Sequence, residues 1–219
     1  MTEQVDANGA GALLGESVLQ RLREEIITGA LPPGTALSVP GIAARYGVSR
    51  SPVREAVQQL TVEGVAEYRP RAGARVAEVD AATLGQVFEL HQILDAQASE
   101  QATRNATRAQ IATLRALVEA QESNLGAPPD PVRDLRVNLE FHTRLREASG
   151  NRPLCDVLER LDVQSFLYPT TAWSDPWNVS MAVREHRAIV DALEIGDARG
   201  AASAAASHAG AVFIRIIRT

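Results

Sequence analysis

The stretch of sequence that most clearly suggests chemistry is GVSRSPVREAVQQL, residues 47–60. It carries four polar residues at the start of a short helical pattern, Ser49, Arg50, Ser51 and Arg54. Arg50 and Arg54 are one helical turn apart, so their guanidinium groups face the same way. Arginine is well suited to bidentate contact with guanine, and serine hydroxyls near a helix N-terminus can bond phosphate. The stretch therefore predicts contact with DNA.

The charge around this stretch is positive although the chain as a whole is acidic. Residues 45–75 contain six arginines and three glutamates, whereas the 219-residue chain has a formal net charge of −5. A nucleic-acid footprint needs only a local basic face, so the acidic remainder does not exclude it. Surface arginines are also common without nucleic acid. Charge and periodicity alone therefore leave DNA binding and a solvated helical surface both open.

The histidines form a second group of residues that could do chemistry, and all of them lie in the C-terminal part of the chain. Asn138 and His142 are spaced i, i+4, so an oxygen and an imidazole share one helix face. His186 begins a later helical pattern, and His208 lies in an alanine-rich one that lets neighbouring helices approach closely. Three imidazoles and one oxygen suit zinc or another divalent transition metal. A polar pocket lined by histidines, without metal, is the alternative.

The elements that must position the basic stretch form a recognisable order. One helical pattern stops at Gly29, a second ends at Gly47, and a third runs from about Ser51 to Val62. Alternating residues then flank the turn PRAG at 70–73, which is a hairpin signal. Two short helices joined by a glycine turn and followed by a hairpin make a winged helix-turn-helix, whose second helix lies in the DNA major groove.

The pattern changes near residues 77–82 from this mixed structure to helices only. We therefore expect a mostly α protein with two domains. Residues 1–15 lack periodicity and are expected to form a flexible tail. Residues 16–79 are expected to form the winged helix-turn-helix with its small β-hairpin, and residues 80–219 an all-helical bundle. Helices are predicted over about 81–105, 107–123, 132–149, 152–167 and 179–195, with one more after Asp197.

Residues 16–79 closely resemble the N-terminal domain of GntR-family transcriptional regulators. The resemblance is carried by the motifs G-x-LPPG, GVSRSPVREA, L-x-x-EG and RAGARV. The sequence departs from the family at Pro40–Gly41, where the second helix usually begins with acidic or polar residues. The resemblance implies that DNA is contacted by Ser49, Arg50, Ser51 and Arg54, with Arg71 and Gly73 at the tip of the wing.

The C-terminal part is similar to the FCD domain of the FadR subfamily, an all-helical ligand-binding bundle. The matching pieces are FHTRLREASGNRPL and EHRAIVDALEIGDARGA. In many members a D-x-x-x-H pair and two later histidines bind a metal at the bottom of the effector cavity. The resemblance implies zinc, nickel or manganese on His142, His186 and His208. Asn138 stands in place of the aspartate, and because its amide carries no charge we expect weakened metal affinity.

A second departure from the family falls at His91. At this position the family commonly has an arginine that helps to hold a carboxylate, and here Asp95 follows one turn later. The two residues either line an effector pocket or form a local hydrogen-bonded pair, and we favour the pocket. Loss of the fixed positive charge predicts an effector that is less anionic than the usual small organic acids.

These observations favour a ligand-responsive transcriptional regulator over two other classes of protein. We expect a repressor that binds a pseudo-palindromic DNA operator as a homodimer and is released by a small metabolite, with an organic acid as one candidate. The alternative is a metal-dependent enzyme that uses the three histidines. No acidic residue is placed as its general base, and residues 47–75 would go unexplained, so we expect no enzyme. A helical interaction module that has lost its ligand is a third possibility.

The cysteine count, the N-terminal sequence and the length of apolar stretches indicate the cellular compartment. The single cysteine, Cys155, excludes an internal disulfide and fits a reducing cytoplasm. The N-terminal sequence has acidic residues where a signal peptide needs positive charge. We expect no membrane span, because no stretch approaches the roughly 18 apolar residues that a span needs. We therefore expect a cytoplasmic protein with no membrane partner.

Overall fold

The computed structural model describes residues 3–128, 130–168 and 172–218. Helices dominate these residues, and the predicted mostly α fold with one small hairpin is confirmed. The elements are α1 (Glu3–Ile27), α2 (Val39–Tyr46), α3 (Arg50–Val62), β1 (Ala66–Arg69), β2 (Gly73–Val76), α4 (Ala81–Asn105), α5 (Arg108–Asn124), α6 (Pro131–Ala148), α7 (Arg152–Ser165), a 3₁₀ turn (Ala172–Ser174), α8 (Pro176–Glu194) and α9 (Ala198–Ile217).

The described residues fall into two compact units, divided between Asp80 and Ala81. The segment that begins at Val163 groups with the first unit, and the chain from residue 172 onward groups with the second. The sequence had placed the boundary between residues 79 and 80.

The first unit packs α1, α2 and α3 against the hairpin. An i, i+4 stripe on α1 buries Leu22 and Ile26, and α3 buries Val53 and Leu60. The hairpin closes this core with Val76, which is fully buried. Removal of these apolar side chains from water is the main stabilisation of the unit, at about 25 cal/mol per Å² buried.

Helix α2 begins and ends on local signals. The Ser38 hydroxyl caps its start by accepting a hydrogen bond from the Gly41 N–H at 3.4 Å, and Pro40 occupies the first turn, where no backbone donor is needed. Gly47 ends the helix with φ of 67°, a left-handed conformation that glycine adopts without strain. The Pro40–Gly41 departure from the family is therefore compatible with a regular helix start.

The hairpin is the predicted wing. Its strands pair antiparallel, with Ala66 opposite Val76 and Arg69 opposite Gly73. Residues 70–72 make the turn, in which Arg71 has φ of 67° and Gly73 follows with φ of 80°. The turn therefore depends on two residues with positive φ, Arg71 and Gly73, which are separated by Ala72.

The second unit is a helical bundle. Helix α9 packs against α4 and α8, and α5 packs against α6 and α8. Its core includes Leu114, Phe141 and Ile189, which are fully buried. Alanines recur every fourth residue on the buried face of α9, at Ala201, Ala205 and Ala209. Such small side chains allow close approach of the neighbouring helices, as the sequence predicted.

Residues 3–15 differ from expectation. They were predicted to lack regular structure, and they instead form the first half of α1. The chain has no proline before Pro32 to stop the helix. Once the buried part of α1 is formed, each further residue adds a backbone hydrogen bond without a new nucleation cost.

Helix α9 also corrects the sequence analysis. Within the described residues it is the one helix long and apolar enough, by length and composition, to cross a membrane. The expectation that no stretch approaches this criterion was wrong. A core helix of a soluble protein meets the same criterion, and one such helix is weak evidence for a membrane.

Candidate nucleic-acid interface and metal centre

The residues predicted to contact DNA lie on the exposed side of α3 and on the wing. Ser49 is the N-cap residue of α3, and its hydroxyl makes no capping hydrogen bond. Arg50 and Arg54 are exposed on consecutive turns. The Ser51 hydroxyl donates to the Glu55 carboxylate at 3.2 Å, so it is partly engaged within the helix. The start of α3 thus presents two cations and one free hydroxyl to solvent.

Ion pairing divides the six arginines of residues 45–75 into two groups. Arg45 binds Glu25 at 2.5 Å, and Arg69 and Arg75 share Glu67 at 3.0 and 2.5 Å. The other three have no hydrogen bond or ion pair among the residues that the structure describes: Arg50, Arg54 and Arg71. A guanidinium without an intramolecular acceptor keeps its donors available for a phosphate or a base edge. These are the three arginines that the sequence assigned to DNA.

A groove of about 810 Å³ separates α3 from the wing. Arg54 and Gln58 line its α3 wall, and Tyr68 and Gly73 line its wing wall. Arg71 lies two residues before Gly73, at the exposed tip. One predicted base-reading residue, Arg54, and one predicted wing residue, Gly73, therefore line the same groove of the first unit.

In the second unit the three predicted ligand histidines come together. His142 on α6, His186 on α8 and His208 on α9 place their ligating nitrogens within 4.8 Å of one another. His142 Nε2 and His208 Nε2 are 3.2 Å apart. Asn138 lies one turn before His142, is buried, and has an Oδ1 atom with no hydrogen-bond partner among the described residues. The structure thus groups side chains that lie far apart in the sequence.

The hydrogen bonds outside the cluster fix the histidine tautomers. His208 Nδ1 lies 2.7 Å from Glu185, whose carboxylate only accepts, so Nδ1 carries the proton. Arg215 holds the same carboxylate with two bonds of 2.8 and 2.7 Å. His186 Nδ1 donates to the Gln121 side-chain oxygen at 2.9 Å. The Nε2 lone pairs of His186 and His208 are therefore left for the centre of the cluster.

The electrostatics favour neutral imidazoles. Burial lowers the pKa of His142 and His186 well below 6.5, and the neighbouring His208 ring adds to the effect. Burial alone would raise the pKa of Glu185, but hydrogen bonds from Arg215 and His208 lower it. The Glu185 carboxylate therefore stays ionised and the His142 and His186 rings stay neutral, which is the protonation state in which histidine binds a metal.

His91 and Asp95 form the hydrogen-bonded pair that the sequence allowed, with 3.0 Å between His91 Nδ1 and Asp95 Oδ2. They are also part of a larger buried network. Arg146 donates to Asp95 through Nε at 2.8 Å and Nη2 at 3.3 Å, and its Nη1 binds Asp162. His91 Nε2 lies 3.8 Å from Asp162, which closes a ring of four side chains. Lining of an effector pocket by His91 and Asp95 stays a prediction.

Sequence reasoning missed the partners that hold these sites. Arg146 could have been found, because it lies four residues after His142 on the same helix face. No helical spacing relates Asp162, Gln121 or Glu185 to the residues that they contact, so the sequence gives no sign of these contacts. In the network, burial alone would raise the pKa of Asp95, but Arg146 and the bond from His91 hold it well below its usual value.

Comparison with known protein families identifies the family of this chain. The model of the bacterial regulatory proteins of the gntR family matches residues 14–76, and the FCD domain model matches residues 86–211. The chain belongs to the GntR family. It is a DNA-binding transcriptional regulator, and its FCD domain is the part that takes a small-molecule effector, as the sequence predicted.

Full-length relatives agree. The chain is 31% identical over 201 residues to an HTH-type transcriptional regulator in an unstable DNA locus of Streptomyces ambofaciens, covering 90% of this chain and 83% of the relative. It is 28% identical to the "Probable D-xylose utilization operon transcriptional repressor" of Paenarthrobacter nicotinovorans, over 85% and 81% of the two chains. The solved structure of E. coli McbR/YncC shows the same fold, with a TM-score of 0.80, 24% identity, and coverage of 90% and 93%.

For this GntR regulator, Arg54→Ala should lower affinity for a selected operator about tenfold or more, because a bidentate contact to guanine contributes about 1–3 kcal/mol. The matched control is Arg69→Ala, an exposed wing arginine already paired with Glu67. It should stay within about threefold of wild type. Fluorescence anisotropy titrations measure both. Equal affinities of the two folded variants would contradict the assignment of Arg54.

The buried network predicts a large effect on stability. Arg146→Gln leaves the Asp95 and Asp162 carboxylates without their cation, which should cost about 3–5 kcal/mol of the free energy of unfolding. Arg104→Gln, which removes an exposed pair with Glu100, should cost about 0.5 kcal/mol or less. Urea unfolding followed by circular dichroism gives both values. Similar midpoints for the two variants would show that the ring is not a stabilising unit.

Proposed function

We propose that this regulator is a homodimeric repressor of the FadR subfamily, released from its operator when a small metabolite binds the FCD domain. The observation that carries the proposal is the pairing pattern. The three arginines predicted to face DNA have no partner among the described residues, while the second unit holds a largely buried cluster of three histidines. The repressor named in Paenarthrobacter nicotinovorans supports repression here. Since operator DNA is the partner, we place the protein in the cytoplasm.

The FCD site is proposed to hold a divalent transition metal. His186 Nε2 and Asn138 Oδ1 are buried polar atoms with no hydrogen-bond partner among the described residues, and such atoms are costly unless a ligand satisfies them. Together with His142 and His208 they make a set of three imidazoles and one amide oxygen, which fits zinc, nickel or manganese. When bound, the ion would supply a positive centre for an oxygen of the effector.

We infer that this site binds rather than catalyses. A metal-dependent hydrolase needs a general base within hydrogen-bond reach of the reacting water. The Glu185 carboxylate, which contacts His208, is already held by two bonds from Arg215. Its low pKa also makes it a weak base. This pairing favours the regulator over the enzyme alternative.

The charges around the site bear on the effector. Arg146 directs its Nε and both Nη groups at Asp95 and Asp162, and Arg215 directs both Nη groups at Glu185. An effector carboxylate would therefore find both arginines neutralised, and the metal would be its positive partner. We propose a small organic acid of low charge, bound through the metal near His91 and Asp95.

The proposal is tested by separating the two sites. His142→Ala should abolish calorimetric binding of zinc, nickel and manganese and the release of operator by small organic acids, while operator affinity without ligand is unchanged. Arg54→Ala should do the reverse, with metal binding intact and operator affinity lowered about tenfold or more. If the wild type binds none of the metals and His142→Ala still abolishes the metabolite response, the histidines form a metal-free pocket. If His142→Ala responds like wild type, the effector site lies elsewhere.

The homodimer is proposed from an exposed apolar surface on two helices that pack together. It contains Leu90 and Ile93 on α4, which are 47% and 65% exposed, and Ile214 and Ile217 on α9. Exposed apolar side chains of this size on two packed helices favour association. A second copy is the fitting partner, because regulators of this kind read two-fold symmetric sites.

Ile93→Glu should therefore convert the dimer to a monomer, because it places a charge in the apolar surface. Ile195→Glu is the matched control, since Ile195 is 79% exposed at the end of α8, outside this surface. Light scattering should give twice the 23.5 kDa chain mass for wild type and for the control. A wild-type mass of one chain, or a dimeric Ile93→Glu, would refute the assignment.

A further inference from the structure

The Asn138 side chain can bind a metal in only one of its two amide orientations, whereas an aspartate could bind in either. An amide binds a metal only through Oδ1, and a half-turn of the side chain would present Nδ2 instead. Within the described residues the Asn138 side chain has no hydrogen bond to fix this choice. Metal ligands are normally oriented by an outer partner, as Gln121 orients His186 here. A partner for Asn138 Nδ2 should therefore lie close by.

A small cavity next to Asn138 offers that partner. Its volume is about 10 Å³, close to the size needed for a single water. Asn138, His186 and Gln121 line it together with Asp134. Asp134 is four residues before Asn138 on α6, so the two side chains share one helix face. The cavity thus joins a proposed ligand, a histidine of the cluster and a carboxylate.

We propose that Asp134 positions Asn138 for the metal through a water held in this cavity. The water donates to the Asp134 carboxylate and accepts from Asn138 Nδ2, which turns Oδ1 towards the histidines. Arg133 already donates to Asp134 Oδ1 at 3.0 and 2.9 Å, and no described group occupies Oδ2. This role of Asp134 rests on the proposed metal site, where it would orient Asn138 so that the amide oxygen can serve as a ligand.

The test is a double-mutant cycle on the full-length protein, with zinc and nickel titrations by calorimetry. Asp134→Asn should weaken metal binding about tenfold, the lower end of the usual effect of an outer partner. Glu140→Gln is the matched control, an exposed carboxylate on the same helix, and should change affinity less than about twofold. Asn138→Asp should tighten binding, because its charge contacts the ion directly.

The decisive arm is Asp134→Asn in the Asn138→Asp background. A carboxylate has two equivalent oxygens and needs no orientation, so the tenfold loss should disappear there. The same loss in both backgrounds, or equal effects of Asp134→Asn and Glu140→Gln, would overturn the positioning role. A wild type that binds neither metal would remove the metal site itself, and this inference with it. Thermal melts in chelator check folding, and Asp134→Glu, which keeps the acceptor, should retain affinity within about threefold.

Discussion

Helix α6 buries a polar face, and the need to satisfy that face organises the FCD domain. Four polar residues follow one another at one-turn spacing along it: Asp134, Asn138, His142 and Arg146. A buried polar group without a partner costs free energy comparable to the gain from several apolar contacts. Neighbouring helices therefore contribute polar residues of their own at this face. Helix α4 provides the His91–Asp95 pair, α7 provides Asp162, and α9 provides His208.

The charged side chains around the histidine cluster are paired with one another. Glu185 is neutralised by Arg215, and Asp95 shares Arg146 with Asp162. Among the three histidines between these groups, burial lowers the pKa of His142 and of His186 and so opposes their protonation. A cation that entered the cluster would therefore be the dominant charge in its surroundings. We therefore expect the uncharged amide of Asn138 to weaken the affinity of the proposed metal site.

The sequence could predict whatever depends on local signals. Gly47 as a helix end and the PRAG turn are each predicted from a few neighbouring residues, and the structure has both. Helical spacing relates Asn138 to His142, but no spacing relates His142 to His208, which lie 66 residues apart, so the cluster was predicted from residue type and from the resemblance. The ring could not be predicted, since Arg146 and Asp95 are 51 residues apart with no period relating them. The helical start of α1 was missed for another reason: propagation from a packed helix leaves no mark in the sequence.

The surface predicted to bind DNA and the histidine cluster both contain polar groups without a protein partner. Only in the buried cluster does the missing partner cost free energy. The guanidinium groups of Arg50 and Arg54 are exposed, so water satisfies them and the DNA-facing surface persists without DNA. Asn138 Oδ1 and His186 Nε2 are buried, and their lack of a partner destabilises the ligand-free domain. A ligand that binds only the folded domain recovers that free energy. We therefore expect the stability of the FCD domain to depend on its ligand, whereas the exposed surface predicted to bind DNA needs no ligand to persist.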